Sequence, residues 1–448
     1  MVERHSDENT PLPNRITDAL HGTGAVSVYF HDLYSLPSVL RGAKPVVGWR
    51  RFAERAIVLA RPNDIVCVET PPDESYLDYL QGVGLEIPRT RILSVAAGDR
   101  TETPGGLAGA ALKDAESRRQ LVDLLDGAKS VGLHPYFPAH SHFDLAERLR
   151  DDLGIPVTVP ASRPEVARRT GRKDVVRNVA CRTDIPVAEG KMVHAPVGQR
   201  EALEKALREV RAETGRVIVR GVVGDGGSAT FFLGERTSRL PDMLASEELG
   251  KPPETWLVEA HYEHRCSPNV QFFVDPKRER IAFLGMTDQR LDAELGHIGN
   301  AWPSHAQTRV GMIDAGRELA EWYLRSGGAG IIGADFVEYP SPRSGRPRFI
   351  LAELNPRVNG ATYPLSIVAR LNRRQPRVGG FVSGHIPTDC RSFDDLKRRL
   401  GGLLYDKDSG VGLVPYNIGT LQVGRFDAVA CETDRHSAES LWQEALRR

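Results

Sequence analysis

Two short runs around residue 340 constrain this chain more than any other part of it. The first, Gly330 to Glu338, is apolar except for Asp335 and the terminal Glu338, and contains Gly333-Ala-Asp335-Phe336. The second, Arg348 to Leu354, leads into Glu353-Leu-Asn355-Pro-Arg357-Val-Asn359. Both read as strands. The linker from Tyr339 to Pro347 holds three prolines and a glycine, so it is a turn or loop rather than a domain boundary. Side chains alternate along a strand, so Glu353, Asn355 and Arg357 face one way while Leu354 and Pro356 face the other. Asp335, on the adjoining strand, completes an oxygen-rich cluster suited to Mg²⁺, a hard cation that shares its shell with substrate phosphates. Arg357 adds a planar fork for a phosphoryl or acyl-phosphate oxygen. Any one of these residues alone is explained as well by a solvated face. The whole set at this spacing is a multi-residue coincidence that a solvated face does not account for.

Composition narrows the remaining possibilities. Lysine plus arginine equals aspartate plus glutamate at 59 each, which leaves no field to draw the chain to nucleic acid or anionic membrane. No segment is long and apolar enough for a bilayer span, and Met1 to Arg15 has no export-signal pattern. Five scattered cysteines without a CxxC pair suit reduced thiols, hence a cytoplasmic setting.

Three units are expected. Residues 1–160 alternate strand-like runs (Val26–Phe30, Ile65–Glu69, Ser130–His134, Ile155–Val159) with helical stretches such as Phe143–Leu153, the pattern of an α/β domain. Residues 161–371 begin with helices over Lys173–Cys181 and Gln199–Thr214. Strand-like runs at Arg216–Arg220, Ala229–Leu233, Thr255–Glu259, Asn269–Val274 and Arg280–Leu284 follow, together implying an antiparallel sheet. An amphipathic helix over Thr308–Arg325 precedes the two constraining runs. Residues 372–448 read as a small α+β unit, with strands at Gly412–Val414 and Ile418–Val423 and a helix over Ser437–Arg447. His140-Ser-His142 has metal-like spacing but lies in a proline-rich stretch without a third ligand, and reads as a surface loop. Glu69, Asp73 and Glu74 follow a strand and either line a crevice or make a turn.

The stretch from Asp335 to Asn359 resembles the metal-binding end of the ATP-grasp superfamily, whose members activate carboxylates as acyl phosphates. The unit order is similar to that of ligases with a Rossmann-like pre-ATP-grasp domain before the core. The resemblance implies ATP and Mg²⁺ as cofactors, with Asp335, Glu353 and Asn355 as metal ligands. It implies Lys173 and Arg220 as phosphate-binding cations, Arg220 standing where the superfamily usually has lysine. Gly221 to Ser228, with Gly224, Gly226, Gly227 and Ser228, would be the glycine-rich loop over the phosphates. It lacks the GxxxxGK[ST] pattern, which disfavours a P-loop. Glu259, Ala260 and His261 would read the adenine, and Glu263 the ribose. Arg357, Arg290 and Arg220 are the expected catalytic cations, although for Arg290 an exposed strand-end arginine is an equal alternative. The activity implied is an ADP-forming ligase joining an amino-acid carboxylate donor to a peptide amine acceptor, with room for a homodimer. A small-molecule kinase or carboxylase of the same superfamily, or an inactive nucleotide-binding regulatory protein, stays open.

Overall fold

A computed structural model describes residues 25–36, 48–85, 87–95, 105–195, 200–223, 230–232, 254–293, 295–374 and 376–448. The first unit holds a five-stranded parallel sheet in the order β3-β2-β1-β4-β5. Its strands are β1 (Val26–Phe30), β2 (Ile65–Val68), β3 (Ile92–Ser94), β4 (Val131–Pro135) and β5 (Val157–Thr158). The helices of the unit are α1 (Glu74–Val83), α2 (Gly106–Lys113), α3 (Ala115–Leu124) and α4 (His140–Leu153). Every residue of β2 and β4 is buried, which is why these strands read as continuous apolar runs instead of alternating ones. Asp73 settles the question left at its position: its carboxylate accepts from the N–H groups of Ser75 and Tyr76 and caps α1, and Gly84 ends that helix at φ 81°.

The second unit begins with α5 (Pro164–Thr170), α6 (Lys173–Arg182) and α7 (Arg200–Thr214). A four-stranded antiparallel sheet, order β6-β9-β7-β8, is built from β6 (Gly190–His194), β7 (Val217–Gly221), β8 (Thr230–Phe232) and β9 (Thr255–Ala260). The large sheet follows, eight strands in the order β14-β13-β10-β11-β12-β15-β17-β16. Its strands are β10 (Ser267–Asp275), β11 (Arg280–Leu291), β12 (His297–Trp302), β13 (Gly330–Pro340), β14 (Pro347–Asn355), β15 (Gly380–Pro387), β16 (Gly412–Asn417) and β17 (Arg425–Glu432). The helices here are α8 (Arg309–Arg325), α9 (Thr362–Arg374), α10 (Phe393–Leu400) and α11 (Arg435–Arg447). The strands after residue 372 thus extend the same sheet that carries the constraining pair.

α8 shows how the back of that sheet is covered. Met312, Ala315, Leu319, Ala320 and Tyr323 fall on one face at helical spacing and pack on Val270, Phe272, Ile332 and Ala334. A Cβ at Gly316 would stand 2.9 Å from the Phe272 ring, so the small residue lets the helix lie close. The fully buried carboxylate of Glu338 accepts from the N–H groups of Gln307 and Thr308 and from the Thr308 hydroxyl, fixing the start of α8 against β13.

Two local expectations are corrected. Ile418–Val423 is not a strand: Gly419–Val423 is a 3₁₀ turn closed by Gly424 at φ 84°, and the strand is β17, just after it. His140-Ser-His142 is not a surface loop but the first turn of α4. There His142 is buried and its Nδ1 accepts from the Ala139 N–H, which makes it a helix-start residue.

Candidate active site

Pairing of β13 with β14 sets Asp335 opposite Glu353 and Gly333 opposite Asn355, with a bulge just after Asp335. Partners across an antiparallel pair share a face, so the predicted acidic cluster forms. Asn355 Nδ2 donates to Asp335 Oδ2 at 2.8 Å, and Asn269 Nδ2 donates to Asp335 Oδ1 at 2.5 Å. Burial, followed by the neighbouring charge of Glu353, pushes the Asp335 carboxyl up to about 7, against the pull of Asn269, Arg357 and Lys173. Lys173, at the start of α6, is buried and stands 3.2 Å from Glu353 Oε2, so it is not a solvated helix-start lysine. Behind the cluster, the Gln271 amide donates to Asn269 and Asn359, and the Thr362 hydroxyl donates to Gln271 Oε1 at 3.0 Å. Gly333 leaves the room this network needs, since a Cβ there would lie 2.3 Å from Asn359 Nδ2.

The donor set fits Mg²⁺. Two carboxylates repel one another beside a single lysine, and a divalent cation relieves that repulsion. Among the described residues no group of three or more His, Cys, Asp and Glu side chains could cage a metal. A cation here would therefore share its remaining ligands with water or substrate phosphate.

Arg357 sits at the seam with the first unit. Its backbone N–H turns back to the Asn355 carbonyl, Nη1 donates to the Tyr136 hydroxyl at 3.3 Å, and the guanidinium lies 5.5 Å from the centre of the Tyr136 ring. Tyr136 follows β4, at the carboxyl end of the parallel sheet beside the β1/β4 switch point, where open α/β sheets form their crevice.

Of the upstream residues, Arg220 and Glu259 meet beside the same strand pair. Arg220 Nε and Nη2 donate to Glu259 Oε2 at 2.9 and 2.5 Å, Arg177 Nη1 donates to Glu259 Oε1 at 2.6 Å, and Arg220 Nη1 donates to the Ala352 carbonyl at 2.7 Å. Both oxygens of the buried Glu259 are thereby held between two arginines, and Arg220 ties the small sheet to the strand residue just before Glu353. The N–H groups of Ala260 and His261 are already donated to the carbonyls of Glu189 and Arg216. Glu263 is exposed in the segment after β9, where Tyr262 stacks on Tyr339 with centroids 4.1 Å apart. Gly224, Gly226, Gly227 and Ser228 lie outside the described residues.

Arg290 is the correction. β10 and β11 pair Asn269 with Thr287 and Ser267 with Gln289, so Thr287 and Gln289 share the Asp335 face while Asp288 and Arg290 point behind the sheet. There Arg290 lies over the Trp442 ring of α11 and donates to the Ser383 carbonyl. Sequence reading missed Asn269, Gln271 and Tyr136. For the first two a signal existed, because they are polar at alternate positions of a strand whose other face, Val270, Phe272 and Val274, is apolar.

A parallel Rossmann-like domain, a small antiparallel sheet and a large sheet carrying an acidic strand pair define the ATP-grasp fold with its preceding pre-ATP-grasp domain. The family model of the pre ATP-grasp domain matches residues 53–150. The ADP complex of N5-carboxyaminoimidazole ribonucleotide synthetase superposes with a TM-score of 0.55 at 11% identity, covering 95% of this chain and 97% of that one. N5-carboxyaminoimidazole synthase of Aspergillus clavatus, in complex with ADP and 5-aminoimidazole ribonucleotide, gives 0.52 at 12% identity, covering 95% and 98%. The β,γ-ATP complex of biotin carboxylase from Campylobacter jejuni gives 0.53 at 14% identity, covering 94% and 90%. No curated protein matches the sequence. No helix among the described residues is long and apolar enough to cross a membrane.

Proposed function

We propose that this chain is an ATP- and Mg²⁺-dependent, ADP-forming ligase that activates an amino-acid carboxylate as an acyl phosphate and joins it to the N-terminal amine of a peptide. The observation that carries the reading is the cluster of Asp335, Glu353 and Asn355 on paired strands, with Lys173 at 3.2 Å from Glu353 and Arg357 at its edge. Asp335, Glu353 and Asn355 would hold Mg²⁺, which would supply charge neutralisation to the ATP phosphates. The substrate carboxylate oxygen attacks the γ-phosphorus, the bond to ADP breaks, and the acyl phosphate forms. The amine then attacks the acyl carbon, phosphate leaves, and the amine gives up its proton. Lys173 and Arg357 bear on the charge of the transferring oxygens, the work phosphoryl transfer mainly requires. Arg220 acts through its neighbours, holding the Ala352 carbonyl and so the position of Glu353.

The unit layout resembles that of the peptide ligase of pheganomycin biosynthesis, which supports a role in peptide natural-product assembly and a non-proteinogenic acid such as a phenylglycine derivative as donor. The five free cysteines accord with a reducing cytoplasm. A second reading is carboxylation of a small molecule, favoured by the names of the synthetase and carboxylase neighbours. ¹⁸O-labelled amino acids incubated with ATP, Mg²⁺ and short peptides separate the two. Ligation through an acyl phosphate moves one label into phosphate and yields a product of the summed mass less water. A product heavier than the amine by carbon dioxide, with no label in phosphate, sinks the peptide-ligase reading.

A further inference from the structure

Behind the large sheet, on the side away from Asp335, lies a pocket of about 590 Å³, within the usual size range of small-ligand sites. Arg290 of β11 forms one wall, and Arg435, His436, Glu439, Trp442 and Arg447 of α11 form the other. The cations in it are not equivalent. Arg435 is fully engaged, with Asp288 at 2.6 Å, Glu439 at 3.0 Å and the Pro303 carbonyl at 2.8 Å. Arg290 has no carboxylate within ion-pair distance among the described residues. Its contacts are the Ser383 carbonyl at 3.1 Å and the face of Trp442, 4.9 Å from the ring centre. Burial lowers its affinity for its proton, with Glu439 acting against that and Arg435 adding to it. At the rim, Arg447 is exposed and unpaired among the described residues. The nearest carboxylate, Glu439, is held by Arg435; a half-buried guanidinium with no ion pair of its own is costly unless an anion comes to it, and the planar fork of arginine suits a carboxylate or phosphate group.

We propose that this pocket binds a small organic anion, its carboxylate or phosphate on Arg290 with Arg447 closing the rim, at a site separate from the acidic cluster. The test is calorimetric titration of the full chain with citrate in one arm and inorganic phosphate in the other. At least one binds the wild type, its Kd rises about tenfold in Arg290→Gln, the loss expected for one charged hydrogen bond, and severalfold in Arg447→Glu. Binding is unchanged in Glu353→Gln, which alters only the front face, so the result does not depend on whether the ligase reading stands. Arg447 is at the exposed end of the last helix, so its variant carries the test even where Arg290→Gln folds poorly. The proposal is overturned if neither anion binds, if both arginine variants bind like the wild type, or if Glu353→Gln abolishes binding.

Discussion

The carboxyl group of Asp335 is surrounded by amides. Asn269 and Asn355 donate to its two oxygens, Gln271 and Asn359 donate to Asn269 in turn, and Thr362 donates to Gln271. Such a network fixes one arrangement because each buried polar group that loses its partner costs roughly 1–3 kcal/mol. The bare backbone at Gly333 is what admits it. In Gly333→Ala the new methyl would meet Asn359 Nδ2 at 2.3 Å and Asn269 Nδ2 at 2.8 Å. Overpacking of this kind costs about 1–3 kcal/mol, so the denaturation midpoint should fall and ATP turnover with it. An alanine variant of wild-type stability would mean that the amides are not held as described.

At the scale of elements, the 3₁₀ segment Trp49–Val58 of the first unit is fastened to the last by one carboxylate. Glu54 Oε1 accepts from the N–H groups of Ile418 and Gly419 at 2.9 and 3.0 Å, while Oε2 is buried without a hydrogen-bond partner among the described residues. Burial pushes this group from 4.5 up to about 7, with Asp73 adding and Arg51 and the two N–H groups opposing. The folded state therefore holds the proton more tightly than the unfolded chain. Stability from neutral Glu54 is full below about pH 4.5 and is lost as pH rises through about 7. Glu54→Gln keeps the acceptor and removes the charge. At pH 8 it should be more stable than the wild type by on the order of 2–3 kcal/mol, and at pH 4.5 the gap should close. A gap of equal size at both pH values would contradict the assignment.

Elements also decide what could be read beforehand. β13 and β14 are legible because Asp335 interrupts an otherwise apolar run, Glu353 and Asn355 alternate with apolar residues, and the two runs lie close in sequence. Arg290 is not, since its face depends on the register of β11 against β10, and a slip of one residue reverses every side chain. The 3₁₀ turn at Gly419–Val423 reads as a strand from its apolar Ile418, Leu421 and Val423, whereas Gly424 at φ 84° closes it as a turn. Arg220 stands where a phosphate-binding cation was expected, yet its partners, Glu259 and Ala352, come from strands of two different sheets. Contacts of that range leave no local periodicity.

Across the whole molecule, one buried apolar cluster runs from the first parallel sheet into the last unit, and Tyr76 of α1 meets the Phe393 ring of α10 at 5.4 Å. His31, after β1, is bonded to the Tyr363 hydroxyl of α9 at 2.8 Å, and Tyr136 reaches Arg357. The carboxyl end of the parallel sheet is thereby held against the strand pair that carries the acidic cluster, a fitting place for an acid and an amine to meet beside a phosphate. We propose that this cluster transfers the γ-phosphoryl group of ATP. It is tested most directly by separating the nucleotide products formed by the wild type and by Glu353→Gln with Mg²⁺, an acid and an amine present. The wild type should give ADP and phosphate in equal amounts, and the variant should lose at least about a hundredfold in rate. AMP and pyrophosphate as products, or undiminished turnover in the variant, would contradict it.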